Sequence, residues 1–229
     1  MRILVTGATG FIGGAVINRL VRDNIHEVVA AVRHKSDNLE KIVKCVQIAD
    51  LAVDTQWEQA LSGVDAVIHT AARVHIMRQD ENELAEFRKT NVQGTLNLAA
   101  QAANAGVKHF IFISSIAVNG TATKIGDKFT ADDICHPATP YGISKYEAEQ
   151  GLHKIAQETG MGIVIIRPPM VYGAGAKGNF ATLLKLVELG IPLPFGSLSN
   201  KRSLVGIDNL VDFIITCTTS EKAKNQIFL

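Results

Sequence analysis

Cysteine is scarce in this sequence: Cys45, Cys135 and Cys217 are an odd number, far apart, with no Cys-x-x-Cys pair. That spacing excludes a disulfide framework and fits reduced thiols in a cytoplasmic protein. Cys135-His136 has no further ligands at zinc spacing, so no metal is expected. An excess of charge of one sign is also missing, since 23 Lys and Arg face 22 Asp and Glu for a formal net charge of +1. Such a balance offers no field for nucleic acid or an anionic membrane. The densest basic cluster, Arg33-His34-Lys35, suffices for one phosphate and no more. No apolar run approaches the roughly 20 residues of a membrane helix. The chain opens on a strand-like run, Ile3-Leu4-Val5, rather than on a signal peptide. Repeats and low-complexity tracts are absent. A soluble, cytoplasmic protein with neither nucleic-acid nor membrane partners is expected.

What is present is a regular alternation. The 229 residues, 47% of them hydrophobic, fit one medium domain or one domain with a small lobe. Short apolar runs at Ile3–Val5, Val28–Val32, Val43–Ile48, Ala66–Ile68, Phe110–Ile113 and Ile163–Ile166 are separated by helix-length segments. Helices are expected over Phe11–Asp23, Asn82–Asn104 and Tyr141–Thr159. Near-continuous Val and Ile runs between helices indicate a parallel sheet covered on both faces. Past Pro168 glycine and proline thicken, which reads as a smaller lobe rather than more sheet. The expected division is a dinucleotide-binding Rossmann-type domain, doubly wound, over 1–168 and a partial substrate lobe over 169–229. The last residues, Gln226 to Leu229, read as a strand cut short, so an incomplete lobe is expected.

Thr6-Gly7-Ala8-Thr9-Gly10-Phe11-Ile12-Gly13 follows the first run and opens the first helix. Gly7 permits the tight turn, Gly10 lets the backbone approach a pyrophosphate, and Gly13 lets helix and strand pack closely. Amides near Phe11 and Ile12 would face the phosphates with the helix dipole behind them. Three glycines alone also suit a plain turn; their place on the first strand of an alternating pattern points to a dinucleotide. The second run ends at Arg33, where NAD sites carry an acidic residue for the ribose hydroxyl. An arginine there suits a 2′-phosphate, which tilts the choice between NAD and NADP toward NADP. Asp50-Leu51, after the third run, is placed for the adenine.

Thr139-Pro140 starts a helix as cap and first residue. Tyr141 and Lys145, four residues apart, share one of its faces. An ammonium beside the phenol favours the phenolate, and lowering the phenol by about 3 units takes roughly 4 kcal/mol. Tyr141 can then exchange a proton with a hydroxyl or ketone while hydride moves. Alone, Tyr-x-x-x-Lys is equally a surface pair.

With these segments in view, the chain resembles an extended short-chain dehydrogenase/reductase of the nucleotide-sugar epimerase/dehydratase family. The likeness also rests on His69-Thr70-Ala71-Ala72, Asn91-Val92-Gln93-Gly94-Thr95, Ser114-Ser115, Arg167-Pro168-Pro169-Met170-Val171-Tyr172-Gly173 and Arg202 to Leu210. It implies that Ser115 joins Tyr141 and Lys145 as the catalytic set, with Ser115 also touching substrate. It implies further that Asn91 props the active-site helix, that Ala71, Ala72 and Pro168 line the cofactor with Lys145 on its ribose, and that Asn179 and Arg202 hold the substrate's nucleoside diphosphate. His69 is expected to be structural.

Two departures shape the expected activity. The family's 4,6-dehydratases carry an acidic pair after the catalytic hydroxyl, whereas Ile116-Ala117-Val118-Asn119 follows Ser115 here, which disfavours dehydration. Asn119 also stands where a tyrosine is common. The leading expectation is an NAD(P)-dependent epimerase acting at carbon 4 of a nucleoside-diphosphate sugar. An NADPH-dependent 4-keto reductase and a non-catalytic dinucleotide sensor stay open beside it. By the same resemblance a homodimer is expected, through helices around Asn82–Asn104 and Tyr141–Thr159, with Leu98 and Ala102 among its apolar contacts.

Overall fold

The first strand is buried nearly end to end, and its side chains divide between two cores. Ile3 and Val5 enter one and Leu4 the other, all at 0% exposure. That alternation, repeated along the sheet, is what a parallel sheet with helices on both faces requires. The computed structural model describes residues 1–74, 82–176, 179–190, 192 and 201–229, with the backbone alone for Asn179 and Ala181.

In chain order the elements are β1 (Arg2–Thr6), α1 (Phe11–Asp23), β2 (Glu27–Val32), α2 (Asp37–Glu40), β3 (Lys44–Gln47), α3 (Glu58–Leu61) and β4 (Ala66–His69). Next come α4 (Glu83–Phe87), a π-helical stretch (Arg88–Gly94), α5 (Thr95–Asn104), β5 (His109–Ile113), a 3₁₀ turn (Ile116–Val118), α6 (Pro140–Thr159) and β6 (Gly162–Ile166). The remainder holds β7 (Met170–Tyr172), α7 (Asn179–Glu188), β8 (Leu204–Gly206), α8 (Ile207–Thr219), a second 3₁₀ turn (Glu221–Ala223) and β9 (Ile227–Phe228). Seven strands form one parallel sheet in the order β3-β2-β1-β4-β5-β6-β9, and β7 and β8 form a separate parallel pair. The chain runs outward from β1 to β3 and then returns to β4, so strand order reverses between β1 and β4. Ligands of doubly wound sheets bind at such a switch. The Rossmann-type architecture expected from the alternation is the one observed.

Helices α1 and α8 cover one face, burying Val16, Ile17 and Leu20 beside Leu210, Val211 and Ile214. Helices α3, α5 and α6 cover the other, with Trp57 at its centre. Helix α6 starts at a capped end, where Thr139 Oγ1 accepts the Gly142 amide at 3.1 Å and Pro140 supplies the first residue. It stops at Gly160, whose φ of 74° is left-handed.

Three expectations need correction. The segment Asn82–Asn104 is not one regular helix; α4 and α5 are joined by the π-helical stretch, whose wider turn carries Asn91 inward. The main sheet does not end before Pro168. Ile207, Leu210, Val211, Ile214 and Cys217 recur at helical spacing, so α8 buries that stripe on the sheet. Strand β9 then pairs with β6, and the Arg167 amide donates to Phe228 O at 2.8 Å. Leu98 and Ala102 are not surface contacts, since both are fully buried against the sheet.

His69 closes β4 beneath the switch point, fully buried between two threonines. Its Nδ1 lies 2.7 Å from Thr6 Oγ1 and its Nε2 2.9 Å from Thr95 Oγ1, so it ties β1, β4 and α5 together. Burial, with some help from the Lys145 charge, pushes its pKa down to about 3. The neutral ring is therefore the folded form, and the unfolded chain takes up a proton first. This stabilisation is complete above about pH 6.5 and is lost as pH falls toward about 3. His69→Gln should cost about 1–3 kcal/mol at neutral pH through the unsatisfied hydroxyls. Urea unfolding at stepped pH should show that gap narrowing as pH falls below about 6; a pH-independent gap would contradict the neutral buried ring.

Candidate active site

The end of β1 turns into α1 through backbone that only glycine allows. Gly7 has φ +71°, and its carbonyl oxygen would lie 2.2 Å from a Cβ on Gly13. The helix can therefore sit close on the strand only while position 13 lacks a side chain. Gly10 donates its amide to Gly7 O at 2.8 Å and caps α1, leaving the first amides of Phe11, Ile12 and Gly13 at the helix start.

Over this turn lies a cleft of about 420 Å³, within the usual range for small-ligand sites. Of the residues expected to hold a dinucleotide, Gly7, Thr9, Gly10, Arg33, Asp50, Leu51, Ala71 and Ala72 line it. Phe11, Ile12, Gly13, Asn91, Tyr141, Lys145 and Pro168 do not. Sequence reasoning missed Trp57, Ile48, Thr70 and Thr90 among the lining residues. Thr90 adjoins the Asn91 motif and Trp57 is the sole tryptophan, which were the available signals. The lining suits a dinucleotide in its chemistry: bare backbone at the glycine turn, apolar walls, and a guanidinium at the β2 end. Arg33 pairs with Asp50 at 3.3 Å, with both side chains largely exposed. Such a pair is weak in water and leaves the guanidinium able to change partners.

The second part of the site is built where β5, β6 and α6 meet. The ladder runs past the strand ends, with the Ser114 amide donating to Ile166 O at 2.7 Å and the Ile116 amide to Pro168 O at 3.1 Å. Ser115 therefore lies opposite Arg167-Pro168. Its hydroxyl oxygen accepts the Ala117 amide at 3.2 Å and so caps the 3₁₀ turn, which leaves its O–H to donate. That turn is pressed against the start of α6, because a Cβ on Gly142 would lie 2.7 Å from Ala117 O.

Tyr141 is half-buried, edge-on to Phe87 at 6.0 Å between ring centroids. Lys145 is 2% exposed; its Nζ donates to Ile113 O at 2.8 Å and sits 4.5 Å from the Phe112 ring centroid. Asn91 accepts the Arg73 amide at 2.8 Å and donates to Arg73 O and to Ser144 Oγ, each at 3.1 Å. Ser144 Oγ in turn donates to Tyr141 O at 2.8 Å. Asn91 thus holds the loop after β4 to the first turns of α6.

The electrostatics differ from the expectation for Tyr141. Burial pushes the phenol up to about 12, and burial pushes Lys145 down to about 7 against the opposing pull of Glu149. Lys145 does not lower the phenol here because Nζ is directed at the Ile113 carbonyl, 6.0 Å from the Tyr141 ring centroid. Asn119 is turned inward as well, bonded to Arg167 and to Thr130 O. Arg202 is exposed, two residues before β8. Asn179 is the first residue of α7, and its side chain lies outside the described residues. Among the described residues no three His, Cys, Asp or Glu side chains are grouped to hold a metal ion, and no helix is long and apolar enough to cross a membrane.

A glycine turn at the switch point, with a tyrosine–lysine helix beside it, defines a dinucleotide-dependent enzyme of the short-chain dehydrogenase/reductase type. The model of the NAD dependent epimerase/dehydratase family matches residues 3–229, and the chain belongs to that family. It is 48% identical over 229 residues to a UDP-glucose 4-epimerase of Vibrio cholerae, covering 99% of this chain and 69% of that protein. It is 33% identical over 218 residues to N-acetyl-alpha-D-glucosaminyl-diphospho-ditrans,octacis-undecaprenol 4-epimerase of Escherichia coli O157:H7, covering 93% of this chain and 61% of that protein. Among solved structures, UDP-glucose 4-epimerase of Thermotoga maritima with UDP-glucose superposes with a TM-score of 0.80 at 28% identity, covering 100% of this chain and 76% of that one.

The tight contact at Gly142 predicts the sign of a substitution. Gly→Ala within a helix normally stabilises by about 1 kcal/mol. Here the added methyl meets the Ala117 carbonyl, so Gly142→Ala should instead destabilise by about 1–3 kcal/mol. Denaturant unfolding reads the sign directly, and a gain would show that the turn carrying Ser115 is loosely seated.

Proposed function

We propose that this chain carries the catalytic machinery of a nucleoside-diphosphate-sugar epimerase acting at carbon 4. The observation that carries the reading is that Ser115 follows β5 while Lys145, one turn along α6 from Tyr141, bonds the Ile113 carbonyl at the end of that strand, in the sheet that also holds the glycine-turn cleft. The likeness to the Vibrio cholerae 4-epimerase supports it. Bound NAD or NADP supplies an acceptor, and then a donor, of hydride. Tyr141 takes the proton of the sugar's 4-hydroxyl and returns it, while the Ser115 hydroxyl orients that oxygen. Lys145, one turn along α6 from Tyr141 and bonded to the Ile113 carbonyl, would meet the cofactor's ribose. Pro168 and Asn91 border the cofactor, and Asn179 and Arg202 hold the diphosphate, where a guanidinium is apt. No carboxylate follows Ser115, which supports epimerisation over loss of water. We assign the protein to the cytoplasm as a homodimer; since Leu98 and Ala102 are buried, the outward faces of α5 and α6 would make its contact.

Arg33 favours a second reading, a 4-keto-sugar reductase drawing on exchangeable NADPH. Its weight is limited by Asp50, whose carboxylate neutralises the guanidinium and would repel a 2′-phosphate. The two carboxylate and guanidinium effects can be separated by titrating each cofactor against variants. Arg33→Ala should weaken NADP binding roughly ten- to hundredfold, the worth of a charge-assisted bond, and NAD binding little. Asp50→Asn should tighten NADP. Equal losses for both cofactors in Arg33→Ala would remove the 2′-phosphate role.

Tyr141→Phe deletes one hydroxyl and should leave cofactor affinity nearly unchanged. Single-turnover hydride transfer, followed by nicotinamide absorbance with UDP-glucose in the full chain, should slow by about 10² to 10⁴. Transfer at the unmutated rate would remove Tyr141 from the chemistry; no transfer by the unmutated chain would restore the sensor reading.

A further inference from the structure

Beneath the proposed catalytic set lies a buried ion pair to which that reading gives no role. Glu149, one turn after Lys145 on α6, is 1% exposed, and Arg167, directly before Pro168, is 2% exposed. Arg167 donates from Nη2 to Glu149 Oε2 at 2.7 Å and from Nε to Oε1 at 3.1 Å. The Ser114 hydroxyl donates to the same Oε1, and Arg167 Nη1 donates to Asn119 Oδ1 at 3.1 Å. Both carboxylate oxygens are engaged. Each member adjoins a piece of the site: Ser114 precedes Ser115, Glu149 follows Lys145, Arg167 precedes Pro168, and Asn119 closes the turn that Ser115 caps.

Stability alone does not account for this arrangement. Taking both charges out of water is costly, and apolar replacements of similar shape often do as well or better. What a doubly bonded guanidinium–carboxylate pair adds is direction. Here the direction joins three elements at one point: the end of β5, the third turn of α6 and the end of β6.

We propose that Glu149 is a positioning residue for the proton- and hydride-transfer geometry, acting through Ser114 on Ser115 and through Arg167 on Pro168. The inference rests on the epimerase reading and deepens it. By anchoring two strand ends to the helix that carries Tyr141 and Lys145, the carboxylate keeps the Ser115 hydroxyl, the Tyr141 phenol and the Pro168 wall in one register. A displacement of about 1 Å at such a site costs on the order of a hundredfold in rate, because reacting groups must meet within contact distance.

Ser114→Ala cuts the link to β5 with the least disturbance, since it removes one buried hydroxyl and leaves the ion pair. In the full chain with UDP-glucose, single-turnover hydride transfer should fall roughly tenfold or more, while dissociation constants for cofactor and sugar nucleotide stay within about twofold. Ser114→Thr, which keeps the hydroxyl, should restore the rate. Amide hydrogen exchange over Ser115–Asn119 should quicken in Ser114→Ala and return to normal in Ser114→Thr. Unchanged transfer and unchanged exchange in Ser114→Ala would overturn the proposal. So would losses of rate and affinity that fall in step with melting temperature and are not rescued by Ser114→Thr, since those mark a structural role alone. Tyr141→Phe run beside them separates the two levels. If it slows transfer while Ser114→Ala does not, only the positioning role falls; if neither slows transfer, the role of Tyr141 in the epimerase reading falls with it.

Discussion

Covering a parallel sheet on both faces leaves its strands no solvent side, and every polar group inside it must find a partner within the protein. In this chain those groups gather at the carboxyl end of the strands. Thr6 and His69 close β1 and β4, Ser114 follows β5, Arg167 follows β6, and Lys145 and Glu149 reach the same level from α6. Each is bound to another or to a strand-end carbonyl. The two cores beneath are built on aliphatic and aromatic side chains. The edge that must be polar is thus also the edge where the turns and helix starts leave free amides, and a dinucleotide cleft and a proton-transfer set can be built there side by side.

Much of this was legible in the sequence because it depends on local pattern. The Val and Ile runs of β1, β2, β5 and β6, the Thr6–Gly13 turn and the Thr139-Pro140 start of α6 each carry their own signature in adjacent residues. What stayed hidden depends on contacts between distant segments. Nothing near Asn91 marks a π-helical turn, because that turn is set by how α4 and α5 meet α6. The glycines and prolines past Pro168 point to a separate lobe, although the same segment carries the Ile207–Cys217 stripe that returns α8 to the sheet. Leu98 and Ala102 were assigned to a surface because helical spacing tells which residues share a face, not which partner that face meets. The Glu149–Arg167 pair joins positions 18 apart, and no short motif announces it.

The epimerase and reductase readings share one catalytic set, so they divide on what surrounds it. For the reductase, Arg33 must offer its charge to a cofactor that comes and goes. Its pairing with Asp50 is exposed on both sides and therefore weak, which leaves the guanidinium accessible while the carboxylate reduces its advantage for a 2′-phosphate. For the epimerase, one cofactor serves both half-reactions, and the requirement falls instead on keeping Ser115, Tyr141 and Pro168 in register through a turnover of the ketone. The buried network under those residues answers that second need more directly than the surface pair answers the first.

The proton inventory sets a separate demand on the epimerase reading. Burial holds the Tyr141 phenol near 12 and Lys145 near 7, so between those values the folded protein keeps both in their neutral forms. Bringing the phenol from about 12 to neutrality requires about 7 kcal/mol of differential stabilisation, well beyond the roughly 4 kcal/mol that a free tyrosine would need. A lysine directed at the Ile113 carbonyl does not supply that difference by itself. Either Lys145 turns toward the phenol, or further positive charge and donated hydrogen bonds reach Tyr141 with the bound reactants. Ser115 and the positive ring of an oxidised nicotinamide are the groups suited to that task. On the proposed reading, a site whose own groups favour neutral tyrosine would make proton removal wait on the arrival of the hydride acceptor, which would tie the two transfers to one binding event.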